Sequence, residues 1–376
     1  MAVEVGAPDD ALAPGEPGEG LFTELGGWPG VYARLFERQN LTSDEAAAVF
    51  TEVLENRAQP AQLGALLAAL RTKGETAEEI AGFVRAMRRR GESVTLPAGA
   101  ADAIDTCGTG GDRSGTINVS TLAALIVAGA GGHVCKHGNR AASSQAGSAD
   151  LLEAFGVSLE LGPEGVARCV GESRFGFCFA QRFHPAMRYA GPVRSALGIA
   201  TAFNVLGPLA NPARVRRQVV GVAAPELAET VLGALEHGGA VHALVVYGRD
   251  GLDELSTVVA SEVFESRLQS DGSFARRQYA VDARGLGLAP ARSADLVGGD
   301  VAHNLARAQA ILHGERGAQR DVVLLNAAAG LIVAGRAADF AEGLALAEES
   351  LDSGAPREVL ERFIVASATA ADAGLL

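Results

Sequence analysis

Residues 102–156, DAIDTCGTGGDRSGTINVSTLAALIVAGAGGHVCKHGNRAASSQAGSADLLEAFG, set out a strand, a glycine turn, a polar loop, an apolar helix, a short strand and a second polar loop. Strands alternating with helices in this way make an α/β domain with a mostly parallel central sheet. Both loops leave strand ends and lead into helix starts. Glycine turns and helix N-termini present unpaired backbone N–H groups, which favour phosphate. The stretch predicts a phosphorylated ligand held by backbone more than by charged side chains.

Three motifs inside it carry that expectation. Gly108-Thr109-Gly110-Gly111-Asp112 directly follows a strand, and glycine there permits positive φ and close approach to the main chain. Asn118-Val119-Ser120-Thr121 opens the next helix. N-capping by Asn118 or Ser120 accounts for it, and so do hydroxyl and N–H groups aimed at phosphate; the two are compatible. The run from Lys136 through His137, Gly138, Asn139, Arg140, Ala141, Ala142, Ser143 and Ser144, followed by Gly147 and Ser148, concentrates small donors and two cations after a buried strand. It reads as an anion-binding loop.

The net charge of −13 has the wrong sign for a nucleic-acid or anionic-membrane partner. It also opposes an anionic ligand, so a divalent cation and a few local basic residues are expected at the site. Asp253 and Glu254, in RDGLDELS, would supply two hard oxygen ligands for Mg2+ from one loop; the plainer alternative is a solvated acidic turn. His184, in HPAMR, has a packed, hydrogen-bonded histidine as its simplest explanation. Arg194 could be a surface helix residue or, in a pocket, a planar fork for a carboxylate.

Hydrophobic residues at 48 % and charged residues at 20 % describe an ordinary globular protein, and aromatics at 5 % argue against stacking platforms for single strands. The four cysteines form no C-x-x-C pair, which suits reduced thiols in the cytoplasm. The first residues lack the basic and apolar regions of a signal peptide, and no apolar run is long enough to span a bilayer.

Residues 1–27, rich in Gly, Pro and acids, are expected to be a disordered tail. Helices follow over 28–96, with capping boxes at Thr42/Glu45 and Thr76/Glu79, Pro60 at a helix start and Gly74 as a stop. Arg88, Arg89 and Arg90 read as a solvated last turn facing the helix dipole. Leu96 and Pro97 mark a boundary, and 97–376 alternates strands (103–106, 133–136, 177–180, 218–222, 243–247) with helices (120–130, 149–155, 225–236, 304–312, 321–334).

In order, GTGGD, NVST, KHGNRAASS, HPAM, LGIATAFNVLGPLANP and DGLDELS resemble the anthranilate phosphoribosyltransferase family of tryptophan biosynthesis. GGDVAHN, ILHGERGAQRDVVLLNAAAGL and ESLDSG are similar too, so the resemblance runs from Trp28 to Phe363. It implies a small all-helical domain hinged to a larger α/β domain of the nucleoside phosphorylase and phosphoribosyltransferase kind. Residues 185–211 would return to the small domain, and helical domains would pair in a homodimer.

The implied pentosyltransferase reaction joins anthranilate to 5-phosphoribosyl 1-diphosphate with Mg2+, and uses no covalent nucleophile. By resemblance Gly108, Gly111 and Asp112 hold the diphosphate side, and Thr116, Asn118, Val119, Ser120 and Thr121 bind the phosphoribosyl diphosphate. Lys136 to Ser144, with Ser148, wrap the remaining phosphates and ribose. Ser120, Asp253 and Glu254 meet the metal, and Asn139, His184 and Arg194 line the anthranilate path. Position 200 departs: it is Ala200 where many relatives carry arginine. A substituted aminobenzoate as acceptor and a pyrimidine nucleoside phosphorylase are the competing activities. A DNA-binding relative on the same scaffold would need a basic groove, against which the net charge speaks.

Overall fold

The computed structural model describes residues 18–141 and 145–376. Seven strands form one sheet among the described residues: β1 (Ile104–Gly108), β2 (Val134–Gly138), β3 (Phe175–Phe179), β4 (Arg217–Gly221), β5 (His242–Gly248), β6 (Ser261–Leu268) and β7 (Phe274–Val281). Their order is β3-β2-β1-β4-β5-β6-β7. β1 to β5 are parallel, while β6 and β7 add antiparallel at one edge.

The chain winds outward from β1 to β3, then returns to the other side of β1 with β4. That reversal makes β1/β4 a topological switch point, where the two outgoing loops part and leave a crevice at the strands' C-terminal ends.

Along β4, β5 and β6 the apolar residues alternate between two cores. Val219, Leu244, Val246 and Val263 belong to one, with the helices Val119–Gly129, Ala318–Val333 and Ala355–Asp372. Val220, Ala243, Val245 and Phe264 belong to the other, with the helix Ala228–His237 and the helical bundle at Ser43–Leu54, Pro60–Lys73 and Ala77–Arg90. A parallel sheet covered on both faces produces this pattern.

Both expected capping boxes are present, on Thr42/Glu45 and Thr76/Glu79, and Pro60 and Gly74 bound their helix. Helices at Gly191–Leu197 and Phe203–Leu209 pack on the bundle, and Ala190, Ala202, Phe203, Val205 and Leu206 enter its core.

Several expectations are corrected. The tail was expected to reach residue 27, but Gly18–Glu24 is a helix, and Phe22 meets Trp28 edge-on at 5.3 Å; residues 1–17 lie outside the described residues. The arginine run is not wholly solvated: Arg88 donates to Leu209 O at 2.8 Å, tying the bundle to the returning segment. The helix expected over 225–236 is a 3-10 turn, Pro225–Leu227, followed by Ala228–His237. The β6–β7 hairpin and the helices Pro163–Ser173, Phe340–Ser353 and Ala355–Asp372 were not anticipated.

Candidate active site

At the switch point the two strands end in glycine for one reason. The Asp253 segment crosses directly over them, so a Cβ on Gly108 would collide with the Asp253 carboxylate and one on Gly221 with its backbone. Gly110 and Gly111 then turn the chain at φ 68° and 88°, conformations that cost a side chain energy. The turn donates its Gly110 N–H to Asp253 Oδ2 at 2.7 Å. That N–H serves the acid loop.

The acid pair is far from a solvated turn. Burial, then the neighbouring Asp112, pushes the Asp253 carboxyl up to about 7. Desolvation and Asp253 hold Glu254 well above the usual carboxylate range, opposed by Lys136 and by a hydrogen bond from the Ser120 backbone N–H. Glu254 thus does the capping that Asn118 or Ser120 was expected to do. Behind the pair, Asn326 clamps the loop: its Oδ1 accepts from Leu255 N–H and its Nδ2 donates to Leu255 O, both at 2.9 Å.

Lys136 sits beneath this surface at 2 % exposure. Its ammonium donates to Thr106 O and, at 3.2 Å, to Ser120 Oγ. It is a buried countercharge to the acids, not a side chain reaching out over the loop.

The two polar loops are joined by side chains. Asn118 Nδ2 donates to Ala146 O at 3.0 Å while its Oδ1 accepts from Asn304. Thr116 bridges to Val297, and Gly298 N–H donates to Gly115 O at 2.8 Å. Val119 and Thr121 are buried at the start of their helix, so they offer backbone and not side chains to the crevice.

In the second loop Asn139 O accepts from Ser148 Oγ, and a Cβ on Gly138 would strike that same hydroxyl. Ala141 N–H is taken by Asp150. Arg140 departs from the expectation of a phosphate ligand: its guanidinium pairs with Asp150 and with both Glu153 oxygens, and stands over the Phe179 ring. These acids satisfy its charge and draw it outward. Ala142, Ser143 and Ser144 lie outside the described residues.

His137 and His184 pack edge to face at 5.2 Å. Each gives one ring nitrogen to a backbone carbonyl, Gly207 O at 2.8 Å and Ala210 O at 2.9 Å. Burial lowers both, His137 to about 3 and His184 to about 4. Both are neutral at physiological pH, and His184 is the packed histidine of the plainer expectation.

Arg194 stands over the Phe203 ring at 5.1 Å and has no carboxylate partner among the described residues. Burial alone lowers its pKa. Asn204, next to Phe203, lies 4.0 Å from where a Gly111 side chain would start, so the returning segment that carries Arg194 approaches the glycine turn.

Sequence reasoning missed Asp105, Asn204, Asn211, Asn304 and Asn326. Asp105 is fully buried and accepts from His137 N–H and Asn211 Nδ2, locking β1 and β2 to the returning segment. Its burial raises its pKa. Asn304 and Asn326 stood inside recognisable runs, and a polar residue amid apolar helix positions was the available signal.

The glycosyl transferase family's α/β domain matches residues 100–357, and its helical bundle domain matches residues 30–91. An anthranilate phosphoribosyltransferase of Roseiflexus castenholzii is 53 % identical over 329 residues, covering 87 % of this chain and 95 % of the relative. The chain belongs to the anthranilate phosphoribosyltransferase family. The family's enzyme from Thermus thermophilus superposes with a TM-score of 0.83 at 42 % identity, covering 90 % of this chain and 99 % of that one. The Saccharomyces cerevisiae anthranilate phosphoribosyltransferase in complex with PRPP and Mg has a TM-score of 0.81 at 27 % identity, covering 91 % and 98 %. The yeast enzyme with 4-fluoroanthranilate has a TM-score of 0.80 at 26 % identity, with the same coverage. The helical bundle and α/β layers of this chain are those of the anthranilate phosphoribosyltransferases.

Proposed function

We propose that this chain transfers the phosphoribosyl group of 5-phosphoribosyl 1-diphosphate to the amine of anthranilate, yielding N-(5-phosphoribosyl)anthranilate and pyrophosphate in tryptophan biosynthesis. One observation carries the reading: the Asp253–Glu254 acid loop lies across the glycine turn at the sheet's switch point and takes its Gly110 N–H.

Mg2+ fits the donor set. Asp253, Glu254 and the nearby Asp112 put more carboxylate charge into one desolvated place than Lys136 offsets. Among the described residues no group of three such side chains forms a complete metal cage, and Mg2+ characteristically takes one or two carboxylates together with substrate phosphates and waters. Asp253 and Glu254 would hold the ion, beside Ser120. Bound there, it would neutralise charge developing on the departing pyrophosphate.

The remaining work belongs to the chain. The anthranilate amine is neutral at pH 7 and needs no strong base, so positioning and exclusion of water dominate. The Arg194 fork matches the anthranilate carboxylate, and closure of the bundle onto the sheet about the segment near Pro97 would shut out solvent. Glycine turn, helix start and second loop would cradle the phosphates and ribose. The expected assembly is a cytoplasmic homodimer paired through the bundle, where Phe36 is 70 % exposed at the end of a stacked row with Trp28 and Tyr32.

Purified protein, anthranilate, 5-phosphoribosyl 1-diphosphate and Mg2+ should give a decay of anthranilate fluorescence. No decay, beside an active control enzyme, refutes the assignment. Substituted aminobenzoates and a nucleoside phosphorolysis assay in the same buffer separate the competing activities.

A further inference from the structure

A sizeable cavity lies away from the crevice. It measures about 520 Å3 and lies at the opposite end of the strands, where β4 begins at Arg217 and β5 at His242. This is the size of a small-metabolite site.

Three guanidinium groups line it, from Arg217, Arg267 and Arg336, against one carboxylate, Glu342. That carboxylate is engaged, accepting from Ala338 N–H at 2.7 Å. Two of the cations are held in place. Arg217 donates to Val333 O at 2.7 Å, and Arg267 Nε is fixed at 2.5 Å by the fully buried Glu265. Glu265 also holds Arg277, which lines an adjoining cavity of about 190 Å3.

Burial disfavours the Arg217 cation; Asp102 supports it, while Arg267 and Arg216 repel it. Cations fixed at short range, in a cleft of a protein carrying −13 overall, are arranged for a compact oxyanion.

The geometry points to a second anion site in this cleft, separate from the switch-point crevice and taking a small phosphate-bearing molecule. Planar guanidinium forks would grip the phosphate, and the volume beyond them would hold a group of sugar size. The chemistry is shared by free inorganic phosphate and by a sugar phosphate, so both serve as probes.

Isothermal titration of the whole protein in EDTA, with inorganic phosphate, ribose 5-phosphate and ribose, tests this. EDTA removes the divalent ion from the acid pair and so weakens anion binding at the crevice, and the two arginine variants report on the cleft. Phosphate or ribose 5-phosphate should bind, and Arg336→Glu should weaken that binding at least tenfold. Arg217→Gln should act in the same direction. Because Arg336 is exposed, its variant should fold and turn over substrates as the parent does in phosphate-free buffer. Tighter binding of the ester than of phosphate identifies a sugar phosphate; equal binding identifies the free anion. No binding of either, binding indifferent to both variants, or ribose binding as well as its phosphate, overturns the proposal.

Discussion

Gly108 has no room for a methyl group, because the Asp253 carboxylate already occupies that place. Gly108→Ala should therefore displace the acid loop, cost roughly 1–3 kcal/mol of stability, and lower kcat at least tenfold; thermal melts and steady-state rates read the two effects. Asp253→Asn with Glu254→Gln should raise the Mg2+ concentration for half-maximal rate and cut turnover about a hundredfold or more. Unchanged kinetics would remove the metal assignment. Arg194, stacked on Phe203 and lacking an acid partner among the described residues, is expected to act on the acceptor side. Arg194→Ala should raise KM for anthranilate about tenfold and leave KM for the phosphoribosyl donor within about twofold, with only partial rescue by lysine, which lacks the planar fork. At this scale the glycines and the acid pair were legible in the sequence, since turns and hard ligands have few alternatives. The outward turn of Arg140 was not, because Asp150 and Glu153 reach it only after the next helix forms.

The β6–β7 hairpin shows why an element can hide. β7 is an edge strand with four successive exposed residues, so no apolar alternation marks it, and its charges protect the edge. Its partner β6 buries Glu265 under His242, Arg267, Arg277 and Tyr279. Burial alone would raise that carboxyl, but His242, Arg267 and Tyr279 overcome it and hold it at about 2, against 4.5 when unstructured. The folded value lies below the unfolded one, so the ionised form stabilises above pH 4.5, and that stability is lost as pH falls from 4.5 towards 2. Glu265→Gln should cost about 2 kcal/mol at neutral pH, after discounting for its half-exposed arginine partners. It should also flatten the acid limb of the stability profile, measured by urea unfolding across pH. The helix Ala355–Asp372, by contrast, had a readable signature in Pro356 at its start and Val359, Phe363, Ala366 and Ala370 on one face.

At the scale of the molecule, the bundle, the returning segment 185–211 and one face of the sheet share a continuous core, and a large apolar residue remains uncovered at Phe36. For the proposed homodimer paired through the bundle, Phe36→Lys should shift sedimentation velocity towards monomer, whereas an unchanged profile would overturn pairing at this surface. No helix among the described residues is long and apolar enough to cross a membrane. The sequence alone determined the α/β alternation of β1 to β5 after residue 97, the caps of the bundle and the residue types of two loops and an acidic dipeptide. Those depend on neighbours a few residues apart, where backbone sterics and hydrogen bonding act locally. Only the tertiary structure decided that Asp253, 143 residues beyond Gly110, receives its N–H, that Lys136 lies beneath the crevice, and that arginines from separate strands face one cleft. Burial and long-range approach fix where charges stand, and the packed sheet sets both.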